Sequence, residues 1–278
     1  MTAGIRIPFH GDPLAQAGTI ALVVLVGFSI VGLTTNIFGS PTTLGGPALS
    51  VPGPGHALGT DQLGRSLMPR VVAGIHVTIL LSAFAVMIAA TIGSLLGLLS
   101  GYFKGLMDEI VPRLADLMFS FPAILLAIMI SAILKPGTPS AIAAIVIVTL
   151  PVMIRVVRAA TLTVAEQDFV IQARIAGAGL GRILALHLLP NVASVIIVQA
   201  AYSISFGMII ESGISFLGLG VQPPEASLGS LLHDGRVYLS IAPWLVFVPG
   251  LVLAITILSV NLVGDGLNEA LNPRLRER

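Results

Sequence analysis

The chain has 278 residues, of which 55% are hydrophobic and 10% are charged, and its mean hydropathy is +1.00. Soluble domains carry about 25% charged residues, so this composition excludes an ordinary soluble domain and indicates a membrane protein. The net charge of +1 and the lack of a basic run give no indication of a nucleic-acid partner. The absence of cysteine excludes disulfides and thiolate metal sites in this chain.

The first apolar run, residues 17–37, is preceded by Arg6 and could be taken for a signal peptide. The hydrophobic core of a signal peptide is about 7–15 residues long and is followed by a small-residue cleavage site. This run is longer, and no convincing cleavage site follows it. It is therefore predicted to be retained as the first membrane span.

Six segments are apolar over about 20 residues, the length needed to cross the hydrocarbon core of a bilayer. Lipid offers no partners to backbone groups, and no period-two alternation is visible, so these segments are predicted to be helices. The predicted fold class is an all-α membrane protein with six transmembrane helices. The predicted spans are 17–37, 77–102, 117–134, 140–157, 192–217 and 241–263.

The distribution of lysine and arginine predicts that both termini face the cytoplasm, because positive charges accumulate on that side. The inner side then holds Arg6, Lys104, Arg113, Arg155, Arg158, Arg174, Arg182, Arg274, Arg276 and Arg278, and the outer side holds Arg65, Arg70, Lys135 and Arg236. The predicted divisions are a cytoplasmic N-terminus (1–16), span one (17–37), an extracytoplasmic loop (38–76), a core of five further spans (77–265) that contains an inner loop (161–190), and a cytoplasmic tail (266–278).

Small residues recur at every fourth position of the second span, at Ala89, Gly93, Gly97 and Gly101. They predict close helix packing along that face. Prolines are predicted within spans at positions 122, 151, 243 and 249. Each removes a helix hydrogen bond, and the resulting kinks could be structural or could serve gating.

The segment between spans four and five is polar compared with its surroundings and reads EQDFVIQARIAGAGLGRILALHLLPN from residue 166 to 191. We expect Asp168 to be the N-cap of a short helix and Gly177 to be the C′ residue that ends it. A second short helix, 180–188, is expected to stop at Pro190. From the residues alone, this helical pair could bind a cytoplasmic partner or rest on the bilayer surface as an amphipathic element.

The same segment resembles the cytoplasmic EAA loop of ABC importer permeases, in which E-A-A is followed by a glycine and then by a leucine–proline pair. The matching positions here are Ile171-Gln172-Ala173, then Gly177, then Leu189-Pro190. The sequence departs from the pattern at Ile171 and Gln172. The loss of the glutamate removes the second half of a capping box.

Five further stretches are similar to the C-type permease of dipeptide, oligopeptide and nickel importers, in the same order and over most of the chain from about residue 56. They are HALGTDQLGRS (56–66), DLMFSFPAILLAI (116–128), ESGISFLGLGVQPPEASLGSLLHDGR (211–236), APWLVFVPG (242–250) and NLVGDGLNEALNPRLR (261–276). The chain is identified by this resemblance as a member of that family.

The resemblance implies a type I ABC importer permease fold with a cytoplasmic coupling helix between spans four and five, in the plasma (inner) membrane of a bacterium or archaeon. It implies three kinds of protein partner: a homologous B-type permease forming a heterodimer, two ABC ATPase subunits that bind ATP and Mg, and an extracytoplasmic solute-binding protein. No cofactor is expected in this chain. It is not expected to be an enzyme, because it contains no G-x-x-x-x-G-K-[ST] phosphate loop.

The resemblance also implies which residues couple the permease to the ATPases, and peptide is the expected substrate, with nickel or another small solute as the alternative. The predicted coupling residues are Asp168, Ala173, Arg174, Gly177, Arg182 and Pro190. Ala173 and Gly177 suit close contact because they are small, and Arg174 and Arg182 offer charged hydrogen bonds.

The candidate residues for the translocation path or outer gate are Glu211, His233, Asp234 and Arg236. Glu211 lies well inside span five, where a carboxylate is costly and should face protein or water. It could contact substrate or make a buried structural hydrogen bond. The other three lie in the outer segment 218–240, where gating, contact with the binding protein and plain loop packing remain open.

The sequence lacks the features expected of two other functional classes, secondary transporters and membrane hydrolases. A secondary transporter should show internal repeats and ionisable groups at mid-membrane, and here Glu211 is almost alone. A membrane protease or hydrolase should show an H-E-x-x-H motif, or a G-x-S nucleophile paired with a histidine within a span, and the sequence has neither.

Overall fold

The computed structural model describes residues 13–103 and 105–271, and every regular element in these ranges is a helix. The helices are α1 (Pro13–Thr35), α2 (Leu67–Tyr102), α3 (Leu106–Phe119), α4 (Ala123–Ile133), α5 (Thr138–Ala165), α6 (Asp168–Ile175), α7 (Leu180–Arg182), a π-helix (Ile183–Leu188), α8 (Leu189–Phe216), α9 (Leu228–Gly235), a 3₁₀ turn (Arg236–Tyr238) and α10 (Trp244–Leu271). The predicted all-α class is confirmed.

Five helices of the described chain are long and apolar enough to cross a membrane: α1, α2, α5, the run Leu180–Phe216 and α10. The pair α3 and α4 satisfies the same test only when its members are taken together, and it is bent by 91°. The predicted third span, 117–134, is therefore not one continuous helix, and the kink that Pro122 was expected to cause is a complete break. Pro122 has no N–H to continue a helix and holds its own backbone extended (φ −55°, ψ 129°), so the chain breaks at residues 120–122.

Three other helices extend well beyond the predicted spans. α2 begins at Leu67, well before residue 77, α5 continues past residue 157 to Ala165, and α10 continues past residue 263 to Leu271. Residues 1–12, 104 and 272–278 lie outside the described part of the chain, and with them most of both predicted termini. Five of the charges used in the orientation prediction also lie outside the described residues: Arg6, Lys104, Arg274, Arg276 and Arg278.

The predicted small-residue strip packs α2 directly against α5. A Cβ atom added to Gly93 would lie 2.6 Å from Met153 Cβ, and one added to Gly97 would lie 2.8 Å from Val157 Cβ. Such distances leave no room for a methyl group, so only glycine permits this approach. The prediction of close packing along this face of α2 is confirmed.

The two ends of the bundle are built differently. At one end, residues 166–190, called here the turn segment, connect α5 to α8. At the other end, residues 36–66 and 217–243, called here the cap, fold over the helix ends. An apolar cluster holds the cap to the bundle, and its buried members are Leu67, Val71, Ile75, Ala226, Leu228, Leu231, Ala242 and Leu245.

Candidate functional site

The first helix of the turn segment, α6, begins one residue earlier than predicted. Gln167 occupies the N-cap position with an extended backbone, and no side chain caps the helix. The prediction of Asp168 as N-cap is wrong, because Asp168 is already the first helical residue. Its carboxylate lies in the first turn, where a negative charge is favourable near the positive end of the helix dipole.

The predicted end of α6 at Gly177 is confirmed in detail. Gly177 has φ +79°, its N–H donates to Arg174 O (3.1 Å), and the N–H of Ala178 donates to Ala173 O (3.0 Å). This pair of bonds is the Schellman motif, which requires a left-handed residue at C′. Ala173 therefore has a structural function in the turn through its carbonyl group.

The second predicted helix of the turn segment does not stop at Pro190. After α7, which contains Arg182, the chain winds as a π-helix over Ile183–Leu188 and continues directly into α8. Pro190 lies in the first turn of α8, a position that tolerates the missing N–H. The turn segment is therefore continuous with a membrane-spanning helix at its C-terminal side.

One residue of α6 anchors the turn segment to the bundle. Val170 is buried in an apolar cluster that includes Leu98 of α2, Val157 of α5 and Leu188 of the π-helix. The same cluster continues into α8 through Val192. Val170 therefore connects α6 to α2, α5 and α8 by direct packing.

The rest of α6 and the following turn are open to solvent. Ile175 is 80% exposed and Phe169 is partly exposed, with its ring 6.2 Å from that of His187. Neither Arg174 nor Arg182 forms an ion pair with any described residue. The turn segment thus presents unpaired positive charges next to apolar side chains, a combination that suits a protein partner.

Glu211 lies at the opposite end of α8 and has no exposed surface in the chain. Ser215 donates to its Oε1 (2.7 Å), while Thr78 of α2 and Ser212 donate to its Oε2 (both 3.3 Å). Thr78 also accepts from the backbone N–H of Leu228, at the start of α9. This geometry favours the structural alternative for Glu211, since its oxygens join α2 and α8 near the point where the cap is attached.

The remaining gate candidates are bonded within the chain. Asp234 accepts from Arg70 Nη2 (3.1 Å), His233 Nδ1 lies 2.7 Å from the carbonyl oxygen of Phe216, and Arg236 donates to the carbonyl of His233 (2.6 Å). None of these three residues forms a hydrogen bond with Glu211 in the described structure. Their gating function stays a prediction.

The residue that joins the cap to α2 through buried charges, Arg70 of α2, was not among the predicted site residues. Its guanidinium donates to Asp61 (2.6 Å) as well as to Asp234, and the Arg70 and Asp61 side chains are only 4% and 1% exposed. Arg65 completes the cluster with a 2.7 Å bond to the same Asp61 oxygen. The three charges within 61–70 are the sequence signal for this cluster, but their partner Asp234 is distant in sequence.

Comparison with known proteins identifies relatives over most of the chain. The family model described as binding-protein-dependent transport system inner membrane component matches residues 93–277. The dipeptide transport system permease protein DppC of Haemophilus influenzae is 35% identical over 95% of this chain and 91% of its own length. The di/tripeptide permease DppC of Pseudomonas aeruginosa is 42% identical over 79% of this chain and 72% of its own length. The glutathione transport system permease protein GsiD of Escherichia coli is 40% identical over 98% of this chain and 92% of its own length.

Proposed function

The chain belongs to the family of binding-protein-dependent transport system inner membrane components, and we propose that it is a permease subunit of an ATP-driven importer of short peptides. The relatives are named for dipeptides, di- and tripeptides and glutathione, which is itself a peptide. The observation that carries the proposal is similarity across nearly the full length of such permeases. The nickel alternative gains no support from these names.

The proposed topology has six spans, with α3 and α4 together as the third, and both termini in the cytoplasm. Ten lysines and arginines are assigned to the turn-segment side and four to the outer side. The positive-inside bias is a count of basic residues, so this excess supports placing the turn segment in the cytoplasm.

In the proposed complex the turn segment is the coupling element. It contacts an ATPase subunit through exposed groups of α6 and the turn, while Val170 transmits the displacement to the membrane helices. A homologous permease completes the translocation path, two ATPase subunits bind ATP and Mg, and an extracytoplasmic binding protein delivers peptide to the cap side. Nucleotide binding shifts the population between inward- and outward-open states.

The proposal is tested by reconstituting this chain with its partner permease, ATPases and binding protein in liposomes. Dipeptide-loaded binding protein is expected to stimulate ATP hydrolysis and peptide uptake. Stimulation by a nickel chelate alone, or purification of the chain without any ATPase subunit, would contradict it.

Gly177→Leu tests the coupling role of the turn segment. At φ +79° a side chain costs about 1–2 kcal/mol in backbone strain, while no atom within 4 Å obstructs it. We expect membrane insertion to be retained and peptide uptake to be lost. The matched control is Gly39→Leu, which has the same left-handed backbone (φ +80°) and the same open surroundings at the cap. An equal loss of uptake in both variants would attribute the defect to backbone strain rather than to coupling.

A further inference from the structure

The break between α3 and α4 leaves backbone hydrogen-bonding groups without partners. The N–H groups of Ser120 and Phe121 donate back into α3, and Pro122 O accepts from Leu126. Among the described residues, the carbonyls of Phe119, Ser120 and Phe121 accept no backbone hydrogen bond. Residues 119–122 are exposed on the surface of the chain.

This break lies beside the middle of α5, a helix long and apolar enough to cross a membrane. Pro122 shares a cavity of 340 Å³ with Val148, Pro151 and Val152 of α5. At 1.5 Å per residue these positions lie roughly 15–20 Å along α5 from its first residue, about half the thickness of the hydrocarbon core. Irregular backbone does not occur at this depth in contact with lipid, because lipid cannot hydrogen-bond to it. Water or another protein must therefore cover residues 119–122.

An ion pair on the same surface continues from the break toward the turn-segment end. Asp116, one helical turn before Ser120, pairs with Arg155 of α5, and the two side chains are 59% and 51% exposed. The Arg155 guanidinium also lies 4.2 Å from the centre of the Phe119 ring. Arg155 is about 25 Å along α5, still within reach of the hydrocarbon core. Ionisable groups at such a position face water or protein rather than lipid.

We propose that the break at residues 120–122 and the Asp116–Arg155 pair line the inner half of a water-filled translocation path. Burial of this surface against a partner protein would strip water from two half-exposed charges and from unpaired carbonyls at a cost of several kcal/mol, whereas an aqueous path leaves them hydrated. A short zwitterionic peptide carries amide and ammonium donors for the free carbonyls and a carboxylate for Arg155. The inference rests on the proposed function and adds to it the residues that form the path.

The absence of cysteine makes single-cysteine accessibility the direct test. Ser120→Cys is introduced into the complete complex in membranes and treated with a membrane-impermeant cationic methanethiosulfonate. The matched control is Val24→Cys, an exposed position in the middle of α1. We expect Ser120→Cys to react at least tenfold faster than Val24→Cys. Equal rates, or reaction of Ser120→Cys only in the isolated chain in detergent, would overturn the inference, and the latter result would assign the break to the permease–permease interface.

A second readout is the charge selectivity of labelling at Ser120→Cys. An ion pair with only a structural role would not affect this selectivity. Reaction of Ser120→Cys is compared for cationic and anionic reagents of equal size. Asp116→Asn is expected to lower the cationic-to-anionic rate ratio severalfold, and Arg155→Gln is expected to raise it. An unchanged ratio in both variants would contradict the aqueous path.

Failure of this inference can be separated from failure of the proposed function. Peptide-stimulated ATP hydrolysis is measured on the same complexes before labelling. Normal stimulation with an unreactive Ser120→Cys rejects the path residues alone, whereas absence of stimulation in the unmodified complex rejects the importer function.

Discussion

The cap and the turn segment differ in the burial and ion pairing of their charged residues. At the cap, the buried Asp61 is bonded to the buried Arg70 of α2, and Arg70 also bonds to Asp234, which is 164 residues away in sequence. In the turn segment, Arg174 and Arg182 are exposed and pair with no described residue. The difference indicates that the cap is completed within the chain, whereas the turn segment presents groups that another protein can satisfy.

The same contrast holds for apolar contacts. The cap, which includes α9, shares a cluster of buried residues with α2 and α10. In the turn segment, the π-helix contributes Ile183 and Leu188 to the buried part of a cluster, whereas α6 contributes only Val170. Few buried contacts correspond to low local stability, so α6 should move more readily than the cap.

The largest expected effect comes from breaking the buried charge cluster of the cap. Arg70→Ala removes one of the two arginines paired with the buried Asp61 and the link from this cluster to Asp234, while Arg65 stays in place. The cost should therefore be somewhat below the about 3–5 kcal/mol that an uncompensated buried charge costs. We expect a marked fall in Tm of the purified complex in detergent. The control is Arg113→Ala, which removes an exposed pair with Glu109 and should change stability by less than about 1 kcal/mol. Similar Tm values for the two variants would mean that the cap does not depend on this cluster.

A smaller effect is expected in the α2–α5 contact that connects the two ends. Gly97→Ala places a methyl group 2.8 Å from Val157 Cβ, and overpacking of this kind costs about 1–3 kcal/mol. Gly27→Ala in α1 is the control, because no atom lies within 4 Å of its added methyl. Thermal unfolding should give a lower Tm for Gly97→Ala than for Gly27→Ala. Equal stability would show that α2 and α5 can move apart without cost.

The smallest effect on overall stability is expected in the turn segment. Val170→Ala removes two buried methyl groups, about 1–2 kcal/mol of apolar burial, but this loss is confined to the anchor of α6. We expect nearly unchanged Tm, faster proteolysis within 166–190, and ATP hydrolysis that is less tightly linked to uptake. Ile175→Ala, on the exposed face, should leave proteolysis unchanged. A fall in Tm as large as that of Arg70→Ala would contradict the contrast between the two ends.

The sequence by itself determined the class of the protein, most of its spans and the end of α6. Apolar runs of membrane length are helical because lipid leaves the backbone no alternative. A glycine at the end of a short polar helix is similarly constrained, since the Schellman turn needs a left-handed residue. These features depend on neighbouring residues, so Gly177 and the strip at Gly93 and Gly97 could be predicted from their spacing.

Only the tertiary structure decided the features that depend on distant residues. Pro122 signalled a disturbance, but the 91° bend also depends on the packing of α3 and α4 against α5. The helix after Gly177 passes Pro190 because Pro190 lies in the first turn of α8, directly after the π-helix, where a missing N–H is tolerated. Glu211 and Arg70 acquire their functions from Thr78 and Asp234, which are more than a hundred residues away from them in sequence. Sequence spacing carries the local rules of helix geometry, whereas these pairings are set by which helices meet in space.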